Sequence, residues 1–276
     1  MKEQPIGFID SGVGGLTVVK QSLKQLPNES IIYLGDNARC PYGPRSLSEV
    51  KSFIWQLTNF LLEKGIKMLV IACNTGTAAA LDEIRETLSI PVIGVIHPGS
   101  RAAIKETQNN KIGVIGTAGT IESNLYEKVI LEKADYLTVS SRPVPEFVQI
   151  VEENLIQDPT SRQIAQSRLQ PFIDEKVDTL VLGCTHYPLM RDLVQEIVGP
   201  EVTLIDSGVE TINEVSTLLD YFGLSRTAEE ARLEAPEITI YTTGDPSQFQ
   251  QFARPWLGRQ DLEVKQCYIE GDTIVE

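Results

Sequence analysis

The sequence predicts an α/β protein built from two similar lobes, each a mainly parallel sheet flanked by helices, with the active site between them. Apolar segments of strand length alternate with helical segments, which is the pattern of a parallel sheet. A strand with a Gly-rich turn begins at Ile6 and recurs 106 residues later at Ile112. A strand followed by cysteine also occurs twice, and Cys73 and Cys184 are 111 residues apart. Two motifs that recur in the same order at nearly equal offsets indicate a duplicated unit.

Composition and charge limit the class of protein. The 276 residues are 42% hydrophobic and 22% charged, as in globular proteins of one large or two ordinary domains. No apolar run approaches ~18 residues and the first residues lack a signal-peptide pattern, so we expect a cytoplasmic protein with no membrane partner. A net charge of −14 argues against a nucleic-acid partner. It still permits a small anionic substrate, because backbone N–H groups at helix starts supply a local positive field.

The four cysteines predict free thiols. In a reducing compartment cysteines are seldom bridged, and no pair here has the CxxC spacing of zinc or thioredoxin-type sites. We interpret Cys40 and Cys267 as core or loop fillers, because free cysteine is among the most buried residue types. Cys73 and Cys184 differ from these two in their matched positions at strand ends.

The first unit opens with a strand at 6–10, a Gly-rich turn at 10–15 and a helix at 16–25. Such a turn can hold an anion on free N–H groups, or its glycines can simply permit a tight turn. It is not GxGxxG and lacks the Walker lysine, so no nucleotide site is predicted. Asp10 ends the strand, where it could cap the helix, although Ser11 could do so equally well.

The first unit continues with a second strand at 31–34 and a loop at 35–43 that contains Asp, Arg, Cys and Tyr. A loop at the end of a strand in such a sheet lies where ligands bind, although a plain surface connection is the alternative. Apolar residues at helical spacing then predict a helix capped near Ser46 or Ser48. The remaining elements are the helix 46–64, the strand 67–72, the helix 77–88 and the strand 92–96.

The second unit begins at His97-Pro98 and repeats the first in outline. Its elements are strands at 112–116, 137–139, 179–183 and 202–205 and helical stretches at 144–154 and 160–175. The sequence IDSGV at 205–209 then repeats 9–13, which suggests that the chain crosses back to the first unit there. The predicted lobes are therefore 1–97 with 210–276, and 98–209.

The last part of the chain, from residue 210, can either rejoin the first unit or form a third layer. Its predicted elements are a helix at 210–222, a strand at 238–243, a helix at 246–257 and a last strand at 262–269. The Pro- and Glu-rich segment 227–237 is interpreted as a surface connection with solvated charges.

Three chemistries are open to the two strand-end thiols. A helix N-terminus, which we predict after both Cys73 and Cys184, can lower a thiol pKa and favour the reactive thiolate. A nucleophile needs only one cysteine, and its histidine partner normally comes from a separate element, unlike His186. A metal site from two distant strand ends is uncommon. Proton transfer suits two matched thiols on opposite sides of a site. One thiolate can remove a proton from one face of a carbon while the opposite thiol delivers one to the other face, which inverts the stereocentre.

The motifs together resemble those of the glutamate racemases, in the aspartate/glutamate racemase superfamily. The matching segments are IDSGVGG at 9–15, GD at 35–36, PYG at 41–43, ACNT at 72–75, GT at 116–117 and GCTHYP at 183–188. The resemblance covers nearly the whole chain, and the pair of cysteine motifs is its most specific part. It implies racemisation of L- and D-glutamate with no cofactor, no pyridoxal phosphate and no metal. It also implies a homodimer that supplies D-glutamate for peptidoglycan and cell-wall biogenesis, and hence for cell shape.

The resemblance also implies roles for individual residues. Cys73 would act on D-glutamate beside Asp10, and Cys184 would act on L-glutamate beside His186. Glu152 would be an auxiliary acid near His186, although by position alone it is a solvated helix residue like Glu153. The substrate's amino and carboxylate groups would be held by Asp10, Ser11, Tyr42, Gly43, Asn74, Thr75, Thr117, Thr185 and His186.

Two alternatives remain open from the sequence. The first is another superfamily racemase or decarboxylase that acts on aspartate, a hydantoin or a malonate. The second is a two-lobed protein that closes on an amino acid without chemistry. In a binding protein, mutation of either cysteine should leave binding intact, and no proton exchange would be seen.

Overall fold

Strands and helices alternate along the chain in the computed structural model, which describes residues 2–276. The strands are β1 (Ile6–Asp10), β2 (Ile31–Gly35), β3 (Met68–Ile71), β4 (Val92–Gly94), β5 (Lys111–Gly116), β6 (Thr138–Pro143), β7 (Thr179–Gly183), β8 (Thr203–Asp206), β9 (Ile238–Thr242), β10 (Val264–Gln266), β11 (Tyr268–Glu270) and β12 (Thr273–Val275). The helices are α1 (Leu16–Gln25), α2 (Leu47–Glu63), α3 (Asn74–Thr87), α4 (Ile96–Glu106), α5 (Ala118–Glu122), α6 (Leu125–Lys133), α7 (Glu146–Glu152), α8 (Pro159–Asp174), α9 (Arg191–Val198), α10 (Ser207–Tyr221), α11 (Ala228–Leu233) and α12 (Pro246–Leu257). No helix within residues 2–276 is long and apolar enough to cross a membrane.

The strands form two parallel sheets, so the predicted fold class is confirmed. The first sheet has the order β10-β9-β2-β1-β3-β4 and the second has β6-β5-β7-β8. All neighbouring strands in both sheets are parallel. The order β2-β1-β3-β4 in the first sheet therefore recurs as β6-β5-β7-β8 in the second. The repeat seen in the sequence is a repeat of topology.

The register of the sheets places the two cysteines at equivalent points. In the first sheet Ile9 of β1 lies opposite Ile71 of β3, and in the second Gly116 of β5 lies opposite Gly183 of β7. Cys73 and Cys184 follow the ends of β3 and β7, and parallel strands all end at the same edge of a sheet. Each cysteine thus lies beside the loop that leaves the neighbouring central strand.

Both faces of the first sheet are covered by apolar side chains, because its central strands are buried along their whole length. Alternate residues point to opposite faces. Ile6 and Phe8 therefore join the cluster that includes residues of α1 and α10, whereas Ile9 joins the cluster of α2 and α3.

The chain returns to the first sheet after β8. Helix α10 packs against α1, and β9 adds in parallel to the outer edge of β2. A buried Lys67 fixes this return, because its Nζ bonds the carboxylate of Glu29 and the carbonyl of Leu224. Glu29 also accepts the N–H of Arg226. The last elements therefore rejoin the first unit instead of forming a third layer.

Several predicted boundaries near the carboxyl terminus are wrong. The expected last strand at 262–269 is two strands, and the second of these, β11, forms an antiparallel hairpin with β12. Gly271 in that turn has φ of +59°, which glycine adopts without strain. The segment 227–237 contains α11, whose capping box joins Thr227 and Glu230, although it remains on the surface.

Boundaries elsewhere shift by a few residues. Helix α3 begins directly after Cys73 and not at residue 77, and α4 begins at Ile96, so His97 and Pro98 lie in its first turn. The predicted strand at 137–139 extends to Pro143.

Candidate active site

Both strand-end cysteines line one cavity between the two sheets. Each is about nine-tenths buried or more, with 5% of Cys73 and 6% of Cys184 exposed. The closed cavity has a volume of only about 20 Å³, which is room for about one water molecule. The predicted site residues that line it are Ser11, Tyr42, Gly43, Cys73, Asn74, Thr75, Thr117, Cys184, Thr185 and His186. Asp10 lies fully buried behind this wall, and Glu152 lines an outer cavity.

Cys73 is the N-cap residue of α3. Its Sγ accepts the backbone N–H of Gly76 at 3.3 Å, and the hydroxyl of Ser11 forms a second hydrogen bond with it. Burial raises the pKa of the Cys73 thiol to about 12, with a further contribution from the charge of Asp10. The expectation that the helix N-terminus lowers this pKa is therefore wrong, because desolvation of the thiolate outweighs the N–H donors.

Asp10 is held by the Gly-rich turn that follows β1. Its Oδ2 accepts the N–H groups of Gly12 at 3.1 Å and Gly15 at 2.9 Å. Burial raises the pKa of Asp10 to about 6, while the charge of His186 and these N–H donors oppose that rise. The carboxylate is thus ionised at neutral pH, and its charge acts on Cys73. Because its pKa is only about one unit below neutral, it can also take up a proton.

Cys184 is not followed directly by an α-helix, and this prediction is wrong. A helix starting after Cys184 would place Pro188 where its missing N–H should donate to the Cys184 carbonyl. The chain instead makes a tighter turn, in which Tyr187 N–H donates to that carbonyl at 3.1 Å. A 3₁₀ helix (Tyr187–Met190) follows.

His186 links Cys184 to Glu152. Its Nδ1 lies 3.8 Å from Cys184 Sγ, and its Nε2 lies 2.8 Å from Glu152 Oε1. Burial alone would lower the pKa of His186, but hydrogen bonds with Cys184 and Glu152 raise it to about 10. The imidazole therefore carries a positive charge at neutral pH, and this charge lies beside the Cys184 sulfur.

The two halves of the protein meet through hydrogen bonds around the cavity. Thr75 Oγ1 of α3 bonds Thr117 Oγ1 at 2.8 Å and Thr120 Oγ1 at 3.2 Å, at the start of α5. The Thr17 hydroxyl lies 3.0 Å from the Thr185 carbonyl and 2.9 Å from the Gly14 carbonyl, so its single proton is shared between these two acceptors. A Cβ on Gly14 would lie 2.6 Å from His186 Nδ1, so only glycine permits this close approach.

Asn74, which lines the cavity, has a side-chain N–H group without a hydrogen-bond partner among the described residues. Its Oδ1 accepts the hydroxyl of Tyr126 at 2.8 Å, while its Nδ2 is buried without a hydrogen-bond partner among the described residues. A buried donor without a partner is costly, so its position at a cavity wall indicates a place for an anionic oxygen.

Tyr42 and Gly43 belong to the loop after β2, where Asp36 organises the chain. The Tyr42 hydroxyl donates to Asp36 Oδ2, and Thr243 donates to Asp36 Oδ1 at 2.7 Å. The carbonyl of Gly43 accepts the N–H of Gly119 across the cleft at 2.9 Å. The Tyr42 ring thus lines the cavity while its hydroxyl is already occupied.

A wider cavity of about 810 Å³ lies outside the inner one and shares wall residues with it. Glu152, Glu153 and Asp245 give it an acidic rim. Cys40, which the sequence suggested is a filler, is half-buried and lines both cavities.

The sequence reasoning missed Cys40, Thr120 and Tyr126. Thr120 follows Thr117 by three residues and donates its N–H to the Thr117 hydroxyl, which is the N-cap of α5. The position of Thr120 three residues after the N-cap Thr117 was therefore the sequence signal that could have identified it. Tyr126 had no signal in the sequence, because it reaches Asn74 only through the packing of α6. Within residues 2–276 no group of three or more His, Cys, Asp or Glu residues is placed to hold a metal ion.

A family model for Asp/Glu/hydantoin racemases matches residues 6–215, which include both cysteines. The chain belongs to this racemase family. It is an amino-acid racemase, an isomerase. The family resemblance inferred from the motifs is thereby confirmed.

Relatives in the racemase family match over nearly the full chain. A glutamate racemase from Carnobacterium sp. is 56% identical over 96% of this chain and 98% of its own. One from Enterococcus faecalis is 54% identical over 98% of both chains. A glutamate racemase isoform from Bacillus anthracis matches in structure with a TM-score of 0.92 and 46% identity, over 99% of this chain and all of that one. The Francisella tularensis glutamate racemase in complex with D-glutamate has a TM-score of 0.87 and 36% identity, over 99% of both chains.

Proposed function

We propose that this racemase interconverts L- and D-glutamate by two-base proton transfer between Cys73 and Cys184, without a cofactor. The observation that carries the proposal is the presence of two buried thiols, one from each sheet, in the wall of one cavity. Support for glutamate comes from the relatives named glutamate racemase at 54–56% identity.

The proposed reaction needs no external acid or base in either direction. From D-glutamate, the Cys73 thiolate removes the α-proton, and the Cys184 thiol gives its proton to the opposite face of the carbanion. The enzyme is left with a Cys73 thiol and a Cys184 thiolate, which is the state that reacts with L-glutamate. Each turnover thus exchanges one protonation pattern for the other, and the two patterns serve opposite enantiomers.

Asp10 and His186 affect the protonation of the two thiols in different ways. Transfer of the Cys73 proton to the Asp10 carboxylate keeps the total charge and moves the negative charge to sulfur. The substrate ammonium would stabilise the Cys73 thiolate and so make this otherwise unfavourable transfer possible. The His186 imidazolium, held by Glu152, stabilises the Cys184 thiolate directly. The two thiols therefore have partners of opposite charge, a carboxylate beside Cys73 and an imidazolium beside Cys184.

Neutral donors suit the carboxylates of the substrate. The inner cavity wall contains hydroxyls of Ser11, Thr75, Thr117 and Thr185 and the free amide N–H of Asn74, without a lysine or arginine among the residues that line it. Hydroxyl and amide donors hold an anion by directed hydrogen bonds, so they fix its orientation.

The direct test is to incubate the purified protein with L-glutamate in D₂O. We expect the optical rotation to decay to zero while the α-proton is replaced by deuterium, with no added metal or pyridoxal phosphate. A chelator should not abolish activity. Faster turnover of aspartate than of glutamate would contradict the substrate assignment.

Ligand binding without chemistry is the second candidate. A binding protein would take up glutamate without exchange of the α-proton, and Cys73→Ser and Cys184→Ser would bind as well as wild type. Calorimetric titration with L-glutamate establishes binding, and exchange of the α-proton by the wild-type protein in D₂O then separates the two candidates.

We propose the biological setting on the same basis. The enzyme would be a cytoplasmic homodimer that supplies D-glutamate for peptidoglycan, and its free thiols suit a reducing compartment. We expect its gene to restore growth to a D-glutamate auxotroph, and light scattering to give a dimer mass. The lobe boundaries, 1–97 with 210–276 and 98–209, would be tested by hydrogen exchange at the two crossings.

A further inference from the structure

A buried relay of hydrogen bonds leads from the start of α10 to the cavity. Tyr126 of α6 is 2% exposed, and its hydroxyl donates to Asn74 Oδ1 at 2.8 Å. The hydroxyl of Ser207, the first residue of α10, forms a second hydrogen bond with the same phenol oxygen. The relay therefore joins Ser207, Tyr126 and Asn74, which come from three different helices.

The chemistry of the three groups fixes the direction of the relay. An amide oxygen can only accept, so the phenol proton of Tyr126 is used on Asn74 Oδ1. The phenol oxygen can then only accept from Ser207, which must be the donor. Its Nδ2 is buried without a partner among the described residues, and Asn74 lines the cavity, so this atom is the donor left for a bound group.

We propose that Tyr126 is a positioning residue that holds the Asn74 amide with its N–H donors towards a substrate carboxylate. The inference rests on the proposed function, because it requires an amino-acid substrate in this cavity. A flipped amide would turn its oxygen towards the anion and repel it. Without the phenol proton, no hydrogen bond from Tyr126 would favour the orientation in which the Asn74 N–H groups face the substrate.

The test compares KM and kcat of Tyr126→Phe with those of wild type. Phenylalanine keeps the ring and removes only the hydroxyl, so the Asn74 oxygen loses its buried donor. We expect KM to rise about tenfold for both enantiomers and kcat to stay within about twofold, as for the loss of binding shared by ground and transition states.

A double-mutant cycle shows whether Tyr126 acts through Asn74. Once Asn74→Ala has raised KM, adding Tyr126→Phe should raise it by less than about twofold. A further tenfold rise in the double variant, or a KM near that of wild type in Tyr126→Phe, would overturn the proposal. Tyr241→Phe is the matched control, because it removes a buried tyrosine hydroxyl bonded to Glu276 away from the cavity. Its KM should equal that of wild type.

A second variant covers the case in which Tyr126→Phe does not fold. Asn74→Asp keeps an acceptor for Tyr126 but places a second acceptor oxygen in the cavity. It should therefore bind substrate more weakly than Asn74→Ala, and tighter binding than Asn74→Ala would contradict the orientation. The cycle uses whichever amino acid the wild type racemises, so failure on glutamate alone affects only the proposed substrate.

Discussion

Cys73 and Cys184 occupy equivalent positions in the two sheets but have different partners. Cys73 has the helix N-terminus, Ser11 and the charge of Asp10, whereas Cys184 has His186. The two enantiomers have equal free energies, so kcat/KM must be the same in both directions for every variant. Racemisation kinetics alone therefore cannot assign the thiols, and a half-reaction is needed.

We predict that each cysteine variant retains one half-reaction. Cys73→Ser and Cys184→Ser should each lose racemisation by about 10²- to 10⁴-fold, because a serine hydroxyl is a poor base and acid. An elimination-prone glutamate analogue needs only proton abstraction. Its L-form should still react with Cys73→Ser and its D-form with Cys184→Ser, as followed by release of the leaving group.

Cys267→Ser is the control for this pair, because Cys267 is a fully buried thiol outside the cavity. It should racemise glutamate as wild type does. If both active-site variants processed the same enantiomer equally well, a single-base mechanism would replace the two-thiol one.

Asp10 makes stability depend on pH. Because burial raises its pKa from 3.8 to about 6, the folded protein binds this proton more tightly than the unfolded chain. Protonation of Asp10 therefore stabilises the folded protein relative to the unfolded chain. This stabilisation is fully present below about pH 4 and is lost as the pH rises through about 6. Asp10→Asn removes the titration. Its free energy of unfolding, relative to wild type, should therefore rise by on the order of 3 kcal/mol between about pH 4 and pH 7, although racemisation falls.

Urea unfolding of both proteins at several pH values measures this difference. Asp135→Asn, at an exposed position, is the control, and its difference from wild type should stay within about 0.5 kcal/mol throughout. A constant difference between Asp10→Asn and wild type across the range would show that Asp10 is not desolvated in the folded protein.

At the scale of elements, helix α3 has the Cys73 thiol at its N-cap. Cys73 Sγ accepts the Gly76 N–H, which is otherwise one of the free donors of the first turn. Serine is a strong N-cap residue and alanine is not. We therefore predict that Cys73→Ser is more stable than Cys73→Ala by about 1 kcal/mol in its free energy of unfolding.

The same pair of substitutions at Cys184 is the comparison, because Cys184 caps no helix. There the difference between serine and alanine should be smaller than at Cys73. Equal differences at the two positions in urea titrations would show that the cap contributes nothing to stability.

At the scale of the whole molecule, the closed cavity is far smaller than an amino acid. Its volume of about 20 Å³ holds about one water molecule, so we expect the two halves to separate when substrate enters. The hydrogen bonds across the cleft, including that from Thr17 to the Thr185 carbonyl, hold the closed form. We expect closure to exclude water and to bring the two thiols to the substrate together.

We predict that Thr17→Val favours the open form. Valine keeps the shape of threonine but cannot donate to Thr185, so alkylation of the buried thiols should accelerate by about threefold to tenfold and KM should rise by a similar factor. Thr58→Val is the control, because its hydroxyl bonds only the Ile54 carbonyl within α2. A Thr17→Val protein with wild-type alkylation rates would show that this bond does not restrain opening.

Much of this architecture could be predicted from the sequence, because it depends on local pattern. Fully apolar strands specify a sheet covered on both faces, and two repeated motifs specify two sheets of one topology. The same repeat predicts Cys73 and Cys184 at equivalent strand ends. Parallel strands always end at one edge of their sheet, so the position of each thiol within its sheet followed.

The tertiary structure decided what depends on contacts between distant parts of the chain. Glu152 and His186 are 34 residues apart, and Asn74 and Tyr126 are 52 apart. No local pattern indicates such contacts, since they arise only when two helices pack against the same cleft. Burial likewise decided the pKa of Cys73, because the helix start visible in the sequence favours the thiolate and only the folded surroundings remove the water that would solvate it.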